Sequence, residues 1–440
     1  MRAPLMTLAL LLGLLAPSPA SSQVRVDPQV QAALQEVSEE HLEELLTQLV
    51  GFHTRNTMSA LMDTTGVGIN AAAEWIAEEF RSYSPRFQVS FDEYRVAAQG
   101  RITEEVTLRN VMAVLPGRTA RRVYVSGHYD SLARIPLEAA LDWGQWGHPA
   151  PGANDDGSGT VLTMEAARVI AQSGIEFDAT LVFIALSGEE QGLVGARLHA
   201  QKAVREGTRI DAVFNNDIIG NSLGGNGIVD GRTVRVFSQG PGESPSRELA
   251  RYIRRTSAPY VPGHEVRLIA REDRFGRGGD HTAFNQLGFA AVRMTESREN
   301  YFKQHNMDDT LDGLDWEYLA RNTRVNVASV MHVAMAPAAP EVNGPNGPLL
   351  GRGEGYDAHL RWTASPGAVA YRVVWRDGWS QDWEREAIVG NVTEFTLPDM
   401  SIDDYLYGVA AIGPDGHESL VSPYVRPPRA NVEILEVGRD

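Results

Sequence analysis

Gly152-Ala153-Asn154-Asp155-Asp156-Gly157-Ser158-Gly159 places two adjacent carboxylates among glycines, directly before an apolar run over residues 160–170. The glycines permit the close or left-handed backbone of a tight loop, and Ser158 is expected to cap the helix that follows. An Asx- and Gly-rich loop on its own is most often only a turn. Its functional interpretation therefore depends on which other side chains the fold brings close to it.

Histidines and further carboxylates follow other short apolar runs. The chain has His128-Tyr129-Asp130 before the loop, and Glu189-Glu190, Asp217 and His305 after it. A single histidine at a strand end is more often structural than a ligand. As a set, however, imidazole nitrogens and carboxylate oxygens suit zinc. Ligands of open α/β sheets bind beyond the carboxyl ends of the strands, so we expect a metal site there.

β-Forming and helical patterns alternate along most of the chain. Strands are predicted at 106–115, 123–126, 180–186, 212–214, 234–237, 266–269 and 290–294. Helices are predicted at 28–57, with a start or kink near Ser38, and at 71–83, 160–171, 192–206, 245–255 and 316–335. Strands separated by helices predict an α/β domain whose mostly parallel central sheet is flanked by helices.

The composition excludes several classes of function. The chain of 440 residues has a formal net charge of −17, and its arginines are scattered among acidic residues along the sequence. Nucleic acid is not an expected partner, because phosphate binding needs clustered Lys and Arg. Cysteine is absent, which excludes disulfides, thiolate metal sites and a cysteine nucleophile. Any metal must be held by histidine and carboxylate side chains.

Residues 1–20 have the pattern of a secretory signal peptide. Arg2 precedes an apolar stretch over residues 5–15, and Ser18-Pro19-Ala20 provides a small-residue exit with cleavage expected after Ala20. A membrane anchor is the weaker interpretation, because a span needs about 20 apolar residues and this stretch is shorter. No later segment is long and apolar enough to span a membrane. We expect an exported protein, either periplasmic or secreted.

A Pro/Gly-rich linker, predicted over residues 338–352, divides the chain. It separates a catalytic domain over 21–337 from a region of short alternating strands over 353–430. Such strands between turns predict a small all-β sandwich. Trp362, Tyr371 and Tyr407 give this region a resemblance to a fibronectin type III domain.

Residues 38–335 resemble the zinc metallopeptidase family of the secreted bacterial leucyl aminopeptidases, which also includes glutamate carboxypeptidase II and the glutaminyl cyclases. The matching pieces, in chain order, are His128-Tyr129-Asp130, the loop 152–159, Ser187-Gly188-Glu189-Glu190, Asn216-Asp217-Ile218-Ile219-Gly220 and His305-Asn306-Met307-Asp308-Asp309-Thr310. Several pieces in one order are hard to obtain by chance. The resemblance implies the zinc-exopeptidase fold and a hydrolytic metal site.

The same resemblance implies two Zn²⁺ ions that are bridged by Asp155. His128 and Asp217 would complete the ligands of one ion, and Glu190 and His305 those of the other. A carboxylate between two dications is physically sensible because they need anionic charge between them. The coordination positions left open for water and substrate are typical of a catalytic site rather than a structural one.

Two further residues receive catalytic roles from the resemblance. Glu189 is the expected general base, which takes a proton from water and passes it to the leaving amine. Asp130 is the expected partner that orients His128, as carboxylates commonly do for zinc-bound imidazole. Asp280 and His281 match a Ser-Asp-His stretch of the family, although Gly279 stands where Ser is usual. We expect those two residues to support the site.

Substrate-contacting residues are less constrained by the sequence. Trp143 and Trp146 lie in a segment between two ligand motifs and could line an apolar pocket, with a packing role as the equal alternative. Asn300-Tyr301, shortly before His305, is a second candidate for substrate contact.

The sequence favours an aminopeptidase that acts on the N-termini of peptides or proteins. A carboxypeptidase of the same fold is an alternative, but the sequence reveals no arginine-rich pocket for a substrate carboxylate. A glutaminyl cyclase is a second alternative, although such enzymes resemble single-zinc sites and here the ligand set is complete. A non-catalytic binding protein is the third, with the C-terminal region contacting a polymer or cell surface.

Overall fold

The computed structural model of the protein describes residues 24–62, 65–134, 146–240, 242–345, 347–351 and 356–425. The predicted signal peptide and Trp143 lie outside the described residues. No helix within these ranges combines the length and the apolarity that crossing a bilayer requires.

A large sheet of mixed strand direction forms the middle of the main domain. Its strands are β1 (Gln88–Val96), β2 (Val106–Leu115), β3 (Arg122–His128), β4 (Thr180–Leu186), β5 (Ile210–Asn216), β6 (Thr233–Phe237), β7 (Glu265–Ile269) and β8 (Ala291–Glu296). Their spatial order is β1-β2-β4-β3-β5-β8-β6-β7. The pairings within β4-β3-β5-β8 are parallel. Antiparallel pairings join β1 to β2, β2 to β4 and β6 to β8. The predicted α/β sheet is confirmed, with its parallel part at the centre.

Helices cover both faces of this sheet. They are α1 (Pro28–Gln35), α2 (Glu39–Val50), α3 (Gly68–Tyr83), α4 (Ser158–Gln172), α5 (Val194–Arg205), α6 (Pro245–Ser257), α7 (Asp280–Asn285) and α8 (Trp316–Met335). One apolar cluster joins the sheet to α1–α4, α6 and α8, and a second joins the opposite face to α5 and α7.

Strand β4 shows why the sequence requires helices on both sides. Leu181 and Phe183 belong to the first cluster, whereas Val182 and Ile184 belong to the second. Successive side chains of a strand point to opposite faces, so an uninterrupted apolar run must be covered twice.

Three elements differ from the sequence prediction. The helix predicted over 28–57 ends earlier, at Val50, whereas the start predicted near Ser38 is confirmed, because the Ser38 hydroxyl accepts the N–H of His41 and caps α2. Strand β1 was not predicted, because polar residues make up more than half of it and its apolar residues are few and mostly half-buried. Helix α7 was not predicted because its six residues are too few to establish a helical period.

The C-terminal region contains two small antiparallel sheets. Their strands are β11 (Ala358–Arg361) and β14 (Glu394–Leu397) in one sheet, and β12 (Ala370–Asp377), β13 (Arg385–Gly390), β15 (Tyr405–Ile412) and β16 (Ser422–Pro423) in the other. Leu360, Tyr371 and Val409 share one apolar cluster between the sheets, as in a sandwich. Strands β9 (Asn343–Gly344) and β10 (Gly347–Pro348) form a short hairpin within the predicted linker. The domain boundaries and the fibronectin type III resemblance stay predictions.

The C-terminal region contacts helix α6 of the main domain through polar groups. The indole Nε1 of Trp383 donates to Glu248 Oε2 at 2.9 Å. Arg255 pairs with Glu418 at 2.5 Å, and Arg251 donates to the carbonyl oxygen of Gln381 at 2.6 Å. These contacts hold the sandwich against the main domain.

Candidate metal centre

The parallel strands deliver three of the predicted site segments to one edge of the sheet. Strand β3 ends at His128, β4 ends just before Ser187-Gly188-Glu189-Glu190, and β5 ends just before Asp217. Because these strands run parallel and adjacent, their carboxyl ends meet at the same edge. The site predicted from the sequence is therefore assembled where the strands end.

Five side chains form two potential metal-binding groups that share one residue. His128, Asp155 and Asp217 form one group, and Asp155, Glu190 and His305 form the other, with the ligand atoms of each group within 4.8 Å of one another. His128 Nε2 lies 3.5 Å from Asp155 Oδ1, and His305 Nε2 lies 3.0 Å from Asp155 Oδ2. These are the five predicted ligands, and Asp155 is the residue that the two groups share.

The donor atoms fit a cation better than they fit one another. His128 Nε2, Asp155 Oδ2 and Glu190 Oε1 are buried and have no hydrogen-bond partner among the described residues. Buried polar atoms are almost always partnered, so unpartnered donor atoms in both metal-binding groups indicate that these groups are suited to hold cations. Nitrogen and oxygen donors without sulfur suit zinc.

Electrostatics at the site also favour a cation. Burial by itself lowers the pKa of His305, but the carboxylates of Asp155 and Glu190 raise that pKa to about 10. The same histidine and His128 hold the pKa of Asp155 far below its usual value despite the opposing effect of burial. The concentrated carboxylate charge thus draws positive charge into the site, as metal ions would supply.

Glycines give the loop before α4 its close packing. Gly152 has a φ of +48°, and a Cβ there would lie 2.6 Å from the Cβ of Ser131. A Cβ on Gly159 would lie 2.3 Å from the carbonyl oxygen of Asn216. The loop can therefore approach the ends of β3 and β5 only with glycine at these positions.

Asp155 and Asp156 are neighbours with different roles. Asp155 presents its carboxylate to the metal-binding groups, whereas Asp156 accepts the backbone N–H groups of His128, Gly159 and Ile218 at 2.9–3.1 Å. Asp156 thereby ties the loop to β3 and to the segment after β5. Asp155 is thus the candidate metal ligand of the pair, and Asp156 holds the loop in position.

Ser158 does not cap the following helix as predicted. It is the first residue of α4, and its hydroxyl donates to the carbonyl oxygen of Asn154 at 2.8 Å. The same hydroxyl accepts the N–H of Ile219 at 3.0 Å. The tertiary contact therefore replaces the local cap.

Asp130 contacts both His128 and the segment Glu189-Glu190, and the sequence alone did not predict the second contact. His128 Nδ1 lies 3.1 Å from the carbonyl oxygen of Asp130 and 3.5 Å from its Oδ1. The carboxylate accepts the backbone N–H groups of Glu189 and Glu190 at 3.2 and 3.1 Å. Asp130 thus orients His128 mainly through its main chain, while its side chain fixes the segment that carries the base.

Glu189 stands beside the metal-binding groups without belonging to either. Its Oε2 lies 4.0 Å from His128 Nε2, and its side chain is 14% exposed. Burial raises the pKa of Glu189 well above the usual carboxyl value, against the opposing charge of His128. A raised pKa brings a carboxyl group closer to the range in which a general base both accepts and releases a proton.

The other residues predicted to support the site or to contact substrate lie in different surroundings. Both carboxylate oxygens of the buried Asp280 lack a hydrogen-bond partner within the described ranges, and burial raises its pKa to about 8. His281 instead contacts the carbonyl oxygen of Glu272 at 2.7 Å. Tyr301 lines the approach to His305 and is 63% exposed. Trp146 packs on the apolar cluster around Met58 rather than lining the cleft.

Three charged residues that hold the site were missed by the sequence analysis. Asp309 accepts the N–H groups of Asn154 and Asp155, each at 2.9 Å. Arg55, fully buried, donates to the carbonyl oxygens of Tyr129 and Gly152 at 2.7 and 2.8 Å. Arg293 pairs with Asp217 Oδ1 at 2.9 Å. Arg293 left a signal as a charge inside the apolar run that forms β8, and Asp309 lies in the matched stretch 305–310, where no role was assigned to it.

The metal-binding groups open into a cleft of about 540 Å³. Its wall contains the arginines Arg101, Arg134, Arg197, Arg274 and Arg277. The sequence analysis found no arginine-rich pocket, and the structure corrects that statement. These arginines come from four separate segments of the chain, so no local sequence pattern predicts that they cluster.

Comparison with known proteins agrees with this geometry. The model of peptidase family M28 matches residues 110–330, which contain all the predicted metal ligands. A protein of Pyrenophora tritici-repentis, described as a "Probable zinc metalloprotease", is 36% identical over 430 residues that cover 89% of this chain and 86% of that protein.

Solved structures with the same fold include two kinds of enzyme. The LapA aminopeptidase of Legionella pneumophila is 25% identical, with a TM-score of 0.55 and coverage of 71% of this chain and 76% of that chain. A glutaminyl cyclase of Fimbriiglobus ruber has a TM-score of 0.52 at 19% identity, covering 71% and 99% of the two chains. At this identity, the similarity to the glutaminyl cyclase shows only that the two proteins share a fold.

Fold, donor set and relatives together define a zinc metallopeptidase. The chain belongs to peptidase family M28, as the family match and the relative of similar length show. The predicted family and the role of zinc are thereby confirmed.

Proposed function

We propose that the protein is a secreted aminopeptidase that removes N-terminal residues from peptides with a pair of zinc ions. The observation that carries the proposal is the position of Asp155, whose two carboxylate oxygens face different histidines, His128 and His305. A carboxylate placed in this way can bridge two cations. His128 and Asp217 would hold one ion, and Glu190 and His305 the other.

When bound, zinc supplies Lewis acidity toward the scissile carbonyl and lowers the pKa of water. The protein supplies the proton transfers. Glu189 is held through its backbone N–H by Asp130, and its Oε2 lies 4.0 Å from His128 Nε2, so a water molecule bound between the two groups would lie within its reach. It would accept a proton from that water and deliver it to the departing amine. Export through the signal peptide and an accessory role of the C-terminal region in surface or polymer contact belong to the same proposal.

A carboxypeptidase is the second candidate, because arginines line the cleft. Guanidinium groups could receive the terminal carboxylate of a peptide. The cyclase alternative has no such observation in its favour. It shares the fold, but the complete pair of metal-binding groups exceeds what a single-zinc enzyme needs.

The test uses unblocked and N-acetylated dipeptides, with zinc content measured on the same sample. Cleavage restricted to unblocked peptides, with about two zinc ions per chain, is the expected result. Cleavage restricted to N-acetylated peptides would replace the aminopeptidase with a carboxypeptidase. One zinc ion per active chain would overturn the bridging role of Asp155.

A further inference from the structure

Positive charge is concentrated in the cleft of an otherwise acidic protein. The chain carries a net charge of −17, yet Arg101, Arg134, Arg197, Arg274 and Arg277 line the same cleft as the metal-binding groups. They come from the segment after β1, the segment after β3, helix α5 and the segment before α7. Only the tertiary structure brings these four parts of the chain together.

Three of these arginines have no carboxylate partner among the described residues. Arg101, Arg134 and Arg197 are exposed and form no ion pair within those ranges. Two of them are tied to segments that carry metal ligands. The guanidinium of Arg101 donates to the carbonyl oxygen of Glu190 at 2.7 Å, and the backbone N–H of Arg134 donates to that of His305 at 2.8 Å.

The other two arginines are held in place by a carboxylate that they must share. Glu299, whose side chain is inaccessible, lies 2.5 Å from Arg274, 3.5 Å from Arg277 and 2.8 Å from Arg235. Asp273 provides Arg274 with a second partner at 2.9 Å. Three guanidinium groups against the two carboxylates of Glu299 and Asp273 leave one positive charge of this cluster uncompensated.

Metal binding makes this excess larger. The carboxylates of Asp155, Glu189, Glu190 and Asp217 line the same cleft, and two divalent cations would neutralise them. The arginines would then dominate the potential that an approaching substrate meets. Guanidinium groups offer paired N–H donors that match the two oxygens of a carboxylate.

We propose that the arginine cluster is a carboxylate-binding subsite, so that the enzyme prefers short peptides with a free C-terminus or peptides with an acidic side chain near the scissile bond. This inference rests on the proposed peptidase function and names its substrate class. Both carboxylate sources present the same chemistry to the arginines, and the experiment separates them.

Three matched peptide pairs provide the test. Leu-Leu is compared with Leu-Leu-amide, Leu-Glu-amide with Leu-Gln-amide, and Glu-Leu-amide with Gln-Leu-amide. In at least one pair the carboxylate member is expected to have a kcat/KM about tenfold higher, as for a hydrogen bond to a charged group. The pair that shows it identifies the source. Equal or better cleavage of the neutral member in every pair would overturn the subsite.

Variants assign the preference to the arginines. In an Arg134→Gln, Arg197→Gln double variant, the ratio of kcat/KM within the preferred pair is expected to fall toward one, mainly through KM. Arg81→Gln changes an exposed arginine of α3 that lines none of the cleft, and should keep the ratio. A ratio unchanged in the double variant contradicts the assignment.

A binding measurement separates failure of the subsite from failure of the proposed function. The six peptides are titrated into Glu189→Gln protein loaded with zinc, using calorimetry. Tighter binding of a carboxylate member, by about tenfold, supports the subsite even if the wild type cleaves none of the peptides, in which case only the aminopeptidase proposal fails. Equal affinities within every pair refute the subsite even if all the peptides are cleaved.

Discussion

The carboxylate of Asp309 accepts the backbone N–H of Asp155, with 2.9 Å between Oδ2 and N. Its other oxygen accepts the N–H of Asn154 at the same distance. The predicted bridging ligand is therefore oriented by a residue that lies 154 positions further along the chain. Partners of this kind fix a ligand in the geometry that the metal requires.

Replacing Asp309 by Ala is expected to weaken zinc binding about 10- to 100-fold. The two backbone N–H groups would lose their acceptor, so Asp155 would no longer be held toward both metal-binding groups. Zinc retained after dialysis against graded chelator concentrations measures the effect. Asp308→Ala is the matched control, because that neighbour is exposed. Equal zinc retention in the two variants would contradict the orienting role.

Glu189→Gln is expected to lower kcat by about 10²- to 10⁴-fold with the zinc content unchanged. The amide keeps the size of the side chain but cannot accept a proton from water. Steady-state kinetics and metal analysis on one preparation measure both properties. Glu78→Gln, at an exposed position of α3, serves as control. A variant that loses zinc together with activity would instead make Glu189 a ligand.

Trp383→Phe is expected to lower the free energy of unfolding by about 1–3 kcal/mol. The change removes the indole donor to Glu248, whose buried carboxyl group would keep one oxygen unpartnered. Urea denaturation monitored by circular dichroism measures the loss. Trp379→Phe is the control, since that indole is 81% exposed, and its effect should stay within about 0.5 kcal/mol. Similar values for both variants would show that the contact with α6 is not stabilising.

Acidic pH is expected to destabilise the junction near the C-terminal region through His332. Burial and the charge of His417 lower the pKa of His332 to about 4, with Asp27 and Glu418 acting in the opposite direction. His332 Nδ1 lies 3.0 Å from His417 Nδ1, and His417 Nε2 lies 3.1 Å from Asp27 Oδ2. Only one proton fits between the two facing nitrogens.

The sign follows from the lowered pKa. The folded state disfavours protonation of His332. The stabilisation that comes from keeping this histidine neutral is therefore fully present above the unfolded pKa of about 6.5. This stabilisation is lost as the pH falls from about 6.5 to about 4, and the free energy of unfolding then decreases by about 3 kcal/mol. Urea unfolding of wild type and His332→Gln from pH 7.5 to 4.5 measures it. The variant should lose less stability over this range, because zinc release affects both proteins alike. Parallel curves would contradict the prediction.

The five predicted metal ligands follow from a family resemblance that short stretches of the sequence carry. His128 and Asp217 follow apolar runs typical of buried strands, and Asp155 lies among glycines that a crowded loop requires. The burial of β4 and its parallel neighbours on both faces likewise follows from their uninterrupted apolar runs. Strand β1 and helix α7 escaped prediction because one is half exposed and the other is shorter than two helical turns.

Tertiary structure alone decided what surrounds those ligands. The sequence does not reveal what Arg55 and Asp309 contact, since each binds a segment far away in the chain. The cleft arginines likewise come from four separate segments. A charged residue in a loop looks the same in sequence whether it faces water, a buried backbone or a substrate. Short stretches of the sequence were therefore enough to predict which residues are the metal ligands. The orientation of Asp155 and the positive potential of the cleft arose only when distant segments folded together, because hydrogen bonds and Coulomb interactions depend on distance in space.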